Sequence, residues 1–368
     1  MNRLVLFLLL LVAGPVAGQG PEGQPPRWVF GNRAGLDFSG GAPQAMEGVA
    51  MNSVEGSAVA CDAAGSLLFY TDGTSVWDRQ HQRMPNGRSL DGSPNSSQSA
   101  LVVRWPASDS LWYVFTTDFQ GGDEGLRYSV VSMGRRGGLG DVIRKDELVM
   151  TPVTEKLTAV RHANGRDVWV IAHRWQSPQY LAVLVTAGGI QLPPVFSTAG
   201  SMHAGAGRNA IGYLKASPDG RHLAAALWKE ANKFEVLDFD PASGEVNGRV
   251  VLEPYPEAYG VEFSADGTKL YGTTNGEKGE DGTIWQFDLK PGPGSDQTKY
   301  NTIVGRSKSR KVGALMRGPD GRIYVARDGA RHLGVIESPN QPGEACRYVD
   351  DGVPLGEGRS RLGLPNCW

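Results

Sequence analysis

One pattern recurs along the chain and limits its architecture more than any other feature: a first strand of small residues, a tight turn ending in Gly, and a strongly β-forming second strand. The clearest copies are residues 213–227, turning at Asp219-Gly220; 260–274, turning at Asp266-Gly267; and 314–328, turning at Asp320-Gly321. Asp-Gly supplies the positive φ that a two-residue hairpin turn needs, so each copy is a hairpin signal with a mechanism. The three turn glycines lie 47 and 54 residues apart, which is the period of a propeller blade. Weaker copies at 158–172, 100–115 and 57–70 bring the first strands to six, and further strands follow at 126–133, 180–185, 234–239 and 283–289. Residues 360–365 look like a seventh first strand, while 28–38 supply strands without a local partner. Joining the two ends in one blade removes two sheet edges that would otherwise invite aggregation. The expected fold is therefore all-β, a seven-bladed β-propeller closed by N- and C-terminal strands sharing one blade.

Composition agrees with many short strands and turns: Gly 50 and Pro 23 in a chain only 21% charged, with no long stretch of apolar residues at helical spacing. Residues 121–125 and 291–295 read as surface loops between strands. The first residues carry an export pattern, with Arg3, an apolar core from Leu4 to Val12, and a small-residue cleavage site at Val16-Ala17-Gly18. The expected organisation is a signal peptide at 1–18, a flexible N-terminus at 19–26 and the propeller at 27–368, in a secreted or periplasmic protein. No Cys follows the cleavage site, so a lipid anchor is not indicated. No later apolar run approaches the roughly 20 residues of a membrane span. A formal charge of −2 argues against a nucleic-acid partner, which calls for a basic face. The basic run from Arg306 to Lys311 reads as a solvated connection. A monomer is expected.

Three Cys leave one without a partner in any disulfide scheme. Cys346 and Cys367, 21 positions apart, either bond and pin the C-terminus, contributing roughly 3 kcal/mol, or both stay reduced. Cys61, among small apolar residues, reads as a buried free thiol.

Several segments together resemble a known family: Trp28 to Phe38, Leu68 to Gly73 with Val76-Trp77, Met84 to Gly87, Gly125 to Val131, Gly137 to Asp141, Thr154 to Val160 with His162 to Gly165, and Ser360 to Asn366. In order and in combination they resemble the WD40-like/YVTN-type propeller region of secreted Bacteroidetes surface proteins of the gliding-motility-associated or type IX secretion substrate kind. The resemblance spans nearly all of the chain after the leader. It implies a β-propeller in an exported protein, with no established reaction.

Propeller topology sorts the polar residues. The turns between first and second strands lie on one face, here the turn face; the beginnings of first strands and the ends of second strands lie on the other, the start face, around the mouth of the central channel. To the start face fall Glu55, Asp72, Gln98, Asp118, Glu155, Lys156, His173, His203, Asn275, Asp328 and Arg361. Such a ring suits ligand binding or metal-assisted hydrolysis, and equally the pairing that buried strand-end polar groups require. His173 and His203 are the sharpest metal-ligand pair, because neutral imidazoles ligate metals and carboxylates could complete the shell. Glu155 and Lys156 read either as an acid and base or as an ion pair fixing the start of a blade.

Other signals fail. Gly205 to Ala210 matches a GxGxxA string without a following helix, and no nucleophile elbow or P-loop occurs. Asn95-Ser96-Ser97 reads as a turn. Trp112, Tyr113, Trp169, Tyr271, Trp285 and Tyr324 read as packing between blades. The expected function is an exported scaffold, without cofactor, that binds a protein, peptide or glycan through the start face. The alternative is a metal-assisted hydrolase or lactonase-like enzyme using the same face.

Overall fold

The computed structural model describes residues 24–276, 280–289 and 301–368. The expected leader, most of the expected flexible segment and the expected loop at 291–295 lie outside them. The described strands form seven antiparallel sheets, the blades of a β-propeller. Blade one comprises Arg27–Phe30, Ala34–Asp37 and Gln44–Ala45; blade two, Ala58–Cys61, Leu67–Thr71 and Val76–Asp78. Blade three comprises Ala100–Arg104, Leu111–Thr117, Leu126–Ser132 and Asp141–Met150; blade four, Val153–Arg161, Val168–Arg174, Ser177–Thr186 and Gly189–His203. Blade five comprises Leu214–Ala216, His222–Leu227, Lys233–Phe239 and Val246–Leu252. Blade six comprises Ala258–Phe263, Lys269–Thr274, Gly282–Asp288 and Asn301–Ser307; blade seven, Val312–Arg317, Ile323–Arg327, His332–Ile336 and Tyr348–Pro354. All six first strands expected from the repeat begin blades two to seven, and those of successive blades lie against one another.

The turn chemistry differs from the expected two-residue hairpin. In blade five Ser217 N donates to His222 O and Gly220 N to Ser217 O, so the connection is a type I turn followed by a left-handed residue. Pro218 fixes the φ suited to the first turn position, and only Gly220 takes the positive φ, of 67°. Asp219 instead accepts from Ser217 Oγ at 2.6 Å and Arg221 N at 3.0 Å, holding the turn from inside. Blades six and seven repeat the arrangement with Gly267 and Gly321, at φ 67° and 80°.

The core lies between blades. Phe234 of blade five packs on Phe287 of blade six with ring centroids 5.5 Å apart. Trp28 of blade one meets Tyr324 of blade seven edge-on at 5.2 Å, so first and last blades are neighbours.

The C-terminal segment contributes no strand to the sheet of blade one. The two ends of the chain meet instead at Asn32 and Arg359, which exchange two backbone hydrogen bonds of 2.9 Å. Beyond this bridge, Leu362 O accepts from Ala314 N of blade seven at 2.7 Å, Leu362 N donates to Val54 O at 3.1 Å, and Asn366 N donates to Ser57 O at 2.7 Å. The basic run is also placed differently from expectation. Arg306 and Ser307 end the outer strand of blade six, with Arg306 Nη1 donating to Thr283 Oγ1 at 3.3 Å, and only the remainder is a connection.

Candidate functional site

At the start of blade four, Glu155 and Lys156 are fully buried. Neighbouring residues of a strand point to opposite sides, and these two reach opposite neighbours. Glu155 Oε2 accepts from Ser97 N at 2.7 Å and Ser97 Oγ at 2.6 Å, and Oε1 accepts from Gln120 N at 2.9 Å, all from blade three and its connections. Lys156 Nζ donates to Ala210 O at 3.2 Å and Ile211 O at 3.0 Å, on the approach to blade five. The expected ion pair between them is therefore not what fixes this blade; each residue clamps a different neighbour. Gln98 works in the same way across three blades, its Oε1 accepting from Leu157 N and Leu214 N at 3.0 and 2.7 Å while Nε2 donates to Leu214 O at 3.0 Å.

Burial shapes the charge states here. It draws the Lys156 ammonium down to about 7 against the opposing pull of Glu155 and Glu235. Burial, then the charge of Glu155, raises Glu55 well above the usual carboxylate range. Burial also raises Glu155, against the donors at Ser97 and Gln120 and the charge of Lys156. With three donors aimed at Glu155, Glu55 is the member of the pair held further above its usual range. Donation from Tyr259 and Ser97 works against that rise, and the rings of Tyr213 and Tyr259 lie 5.7 Å apart beside it.

His173 and His203 do come together, their rings stacked with centroids 3.8 Å apart and planes 18° apart. His173 Nδ1 lies 2.8 Å from Arg174 O, which places its proton on that nitrogen. Burial foremost, and then the neighbouring positive charges, hold both imidazoles well below their usual pKa. The nearest carboxylate is Glu235, whose Oε1 is 3.7 Å from His203 Nε2. That carboxylate is already committed, Oε1 accepting from Tyr180 Oη at 2.8 Å and Oε2 from Ser201 N at 3.0 Å. Among the described residues no three His, Cys, Asp or Glu side chains gather in a way that could hold a metal ion.

The remaining expected site residues separate. Asp72 accepts from Thr74 N, Thr74 Oγ1 and Ser75 N at 2.8 to 2.9 Å, shaping its own turn. Asp118 does likewise with Phe119 N and Glu124 N. Arg361 Nε pairs with Asp328 Oδ1 at 2.8 Å, tying the C-terminal segment to blade seven. Asn275 keeps its Oδ1 buried without a partner. Glu235, Ser97, Tyr180, Tyr213 and Tyr259 belong to this network and carried no spacing signal. Glu235 could have been found as a charged residue in the run Phe234 to Leu237, where a strand buries both faces.

The disulfide considered between Cys346 and Cys367 is not formed; all three cysteines are free. Cys346 is packed with Tyr271 and Ile336 between blades six and seven, whereas Cys367 lies with Cys61, Val59 and Tyr70 beside blade two. The outer strand Tyr348–Pro354 runs between them, so nearness in sequence did not become nearness in space.

No family model matches the chain, and no curated protein matches it. Among solved structures it is similar to a functionally unknown protein from Desulfotomaculum acetoxidans, at 12% identity and TM-score 0.51, covering 92% of this chain and 97% of that one. It is also similar to the hydrazine synthase of Kuenenia stuttgartiensis, at 13% identity and TM-score 0.45, covering 97% and 89%. A third is the periplasmic gluconolactonase of Pseudomonas aeruginosa, at 16% identity and TM-score 0.38, covering 81% and 96%. Likeness at this level concerns the fold alone. No helix among the described residues is long and apolar enough to cross a membrane.

Proposed function

We propose that this chain is an exported, non-catalytic binding scaffold that takes a protein or peptide on the start face of the propeller. One observation supports the reading: three exposed apolar residues adjoin, in sequence, polar residues expected on that face. Val54 is 37% exposed next to Glu55, Phe119 is 37% exposed next to Asp118, and Met202 is 58% exposed next to His203. By topology Val54 approaches a first strand, Phe119 leaves a second strand, and Met202 lies near the end of the outer strand of blade four, which the antiparallel order brings back to the same end. Apolar contacts bounded by polar groups are how protein partners are held, and half-exposed Asp118, Asn275, Asp328 and Arg361 would supply the polar rim. The ionisable groups behind them act as fixed struts, since Glu155, Lys156 and Glu235 spend their hydrogen bonds on neighbouring blades. Within the same reading, the segment from Arg359 to Asn366 serves as the closing innermost strand between blades seven and two.

The test places a photo-crosslinking residue at Phe119, and separately at Ile143 on the outer strand of blade three, in cells that express the full chain. Adducts at Phe119 that disappear when Met202→Asp is added, with none at Ile143, support the reading. Equal adducts at both positions, or adducts at Phe119 indifferent to Met202→Asp, overturn it.

A further inference from the structure

The opposite end of the channel holds a cavity of about 480 Å³. It is built from the ends of the first strands of blades four to seven, with Arg161, Lys215, Glu262 and Arg317 in its lining and Cys367 and Trp368 at its edge. Its volume falls in the range of small-molecule sites.

Arg161, Lys215 and Arg317 line the cavity together with two acidic side chains, Asp219 and Glu262. Asp219 is committed to its own turn, to Ser217 Oγ and Arg221 N. Glu262 accepts from Phe263 N at 3.0 Å and Arg317 N at 3.2 Å, and Lys215 Nζ lies 3.8 Å away. Neither carboxylate neutralises the guanidinium of Arg317. That side chain is only 9% exposed, and its Nε and Nη1 are buried with no hydrogen-bond partner among the described residues. Buried guanidinium N–H groups left without a partner are costly, and a guanidinium offers a planar fork that fits a carboxylate or phosphate. Above it, Arg161 lies 5.9 Å from the ring of Trp368, giving the mouth a second cation beside an aromatic wall.

We propose that this cavity is a binding site for a small organic anion whose carboxylate or phosphate sits on Arg317, with Lys215 alongside and Arg161 at the rim. The site lies at the other end of the channel from the surface assigned to a protein partner, so either assignment can fail without the other.

The experiment follows thermal unfolding and isothermal titration of the full chain with three probes: inorganic phosphate, galacturonate and neutral galactose, at constant ionic strength. Saturable binding of phosphate or galacturonate with no response to galactose supports the site, and the anion that responds separates a phosphate from a carboxylate ligand. Arg317→Met should weaken the responding anion at least ~10-fold, the loss of one charge-assisted contact. The same variant should melt at or above wild type without ligand, because buried N–H groups without a partner are removed; a merely structural arginine would lower the melting temperature. Should Arg317→Met fail to fold, Arg161→Gln at the rim carries the test, with weaker anion binding at unchanged ligand-free melting. The proposal is overturned if galactose binds as well as galacturonate, if no anion binds saturably, or if the anion response survives Arg317→Met or, where that variant does not fold, Arg161→Gln. Lys308→Gln, on an exposed lysine elsewhere, should leave binding unchanged; a loss there equal to that in the pocket variants would assign the effect to general charge and overturn the site.

Discussion

Cys61 and Cys367 keep part of their surface exposed, but the packing around their sulfurs raises both thiols to about 12, and burial raises Cys346 as well. At pH 8 the thiolate fraction of the first two is then on the order of 1 in 10⁴, and the thiolate is the reactive form. A thiol reagent should label the folded protein slowly and all three cysteines at once in denaturant; rapid labelling of a folded thiol would contradict the burial. The stacked imidazoles make a second residue-scale prediction. Their folded pKa values lie below the unfolded value of about 6.5, so on acidification the unfolded chain takes up protons first and stability falls from about pH 6.5 downward. Each histidine contributes up to about 1.4 kcal/mol per pH unit to that fall. Glu55 acts with the opposite sign. Its folded pKa is raised, so its contribution is full below the ordinary carboxylate value and is lost as pH rises through the folded value. His203→Gln should therefore remove about 1 kcal/mol of the loss between pH 6.5 and 5.5 in urea titrations. An unchanged loss in the variant would mean that His203 is protonated in the folded protein.

Elements are held at their closest approaches by glycine. A Cβ on Gly363 would overlap Glu55 O, and one on Gly313 would overlap Leu362 O, both backbone atoms that cannot swing aside. Gly363→Ala should lower the unfolding free energy by about 2 kcal/mol or more, as forced backbone overlap does, and a variant as stable as wild type in urea would show that the C-terminal segment is not seated between blades two and seven. The same scale explains what was legible beforehand. Six first strands could be read because their turns announce themselves, as with Gly220, Gly267 and Gly321. Blade one could not be read as fully: its first turn places the non-glycine Arg33 at φ 53°, and its third strand is only Gln44–Ala45. At the site, Glu155 lies near the beginning of a first strand, whereas His203 ends the outer strand of blade four and meets His173 at the end of the second strand of that blade. The partners were illegible, since Ser97, Glu235 and the carbonyls of Ala210 and Ile211 are brought in by the packing of whole blades. Even the relation of Glu155 to Lys156 was hidden, because adjacency in a strand means separation in space.

For the whole molecule, the account makes the polar ring a set of blade-to-blade ties, and leaves recognition to the apolar residues outside it and to the cationic cavity at the far end. Removing one tie must then loosen the ring itself. The most direct measurement is the urea unfolding free energy of Glu155→Ala at pH 7. Three donors lose their acceptor in that variant, two from Ser97 and one from Gln120, and buried donors left unsatisfied cost roughly 1–3 kcal/mol each before relaxation. A loss of about 3 kcal/mol, in a single cooperative transition, is the predicted result. Wild-type stability in Glu155→Ala would contradict the account, for it would mean that this buried carboxylate is kept for chemistry and not for holding the blades together.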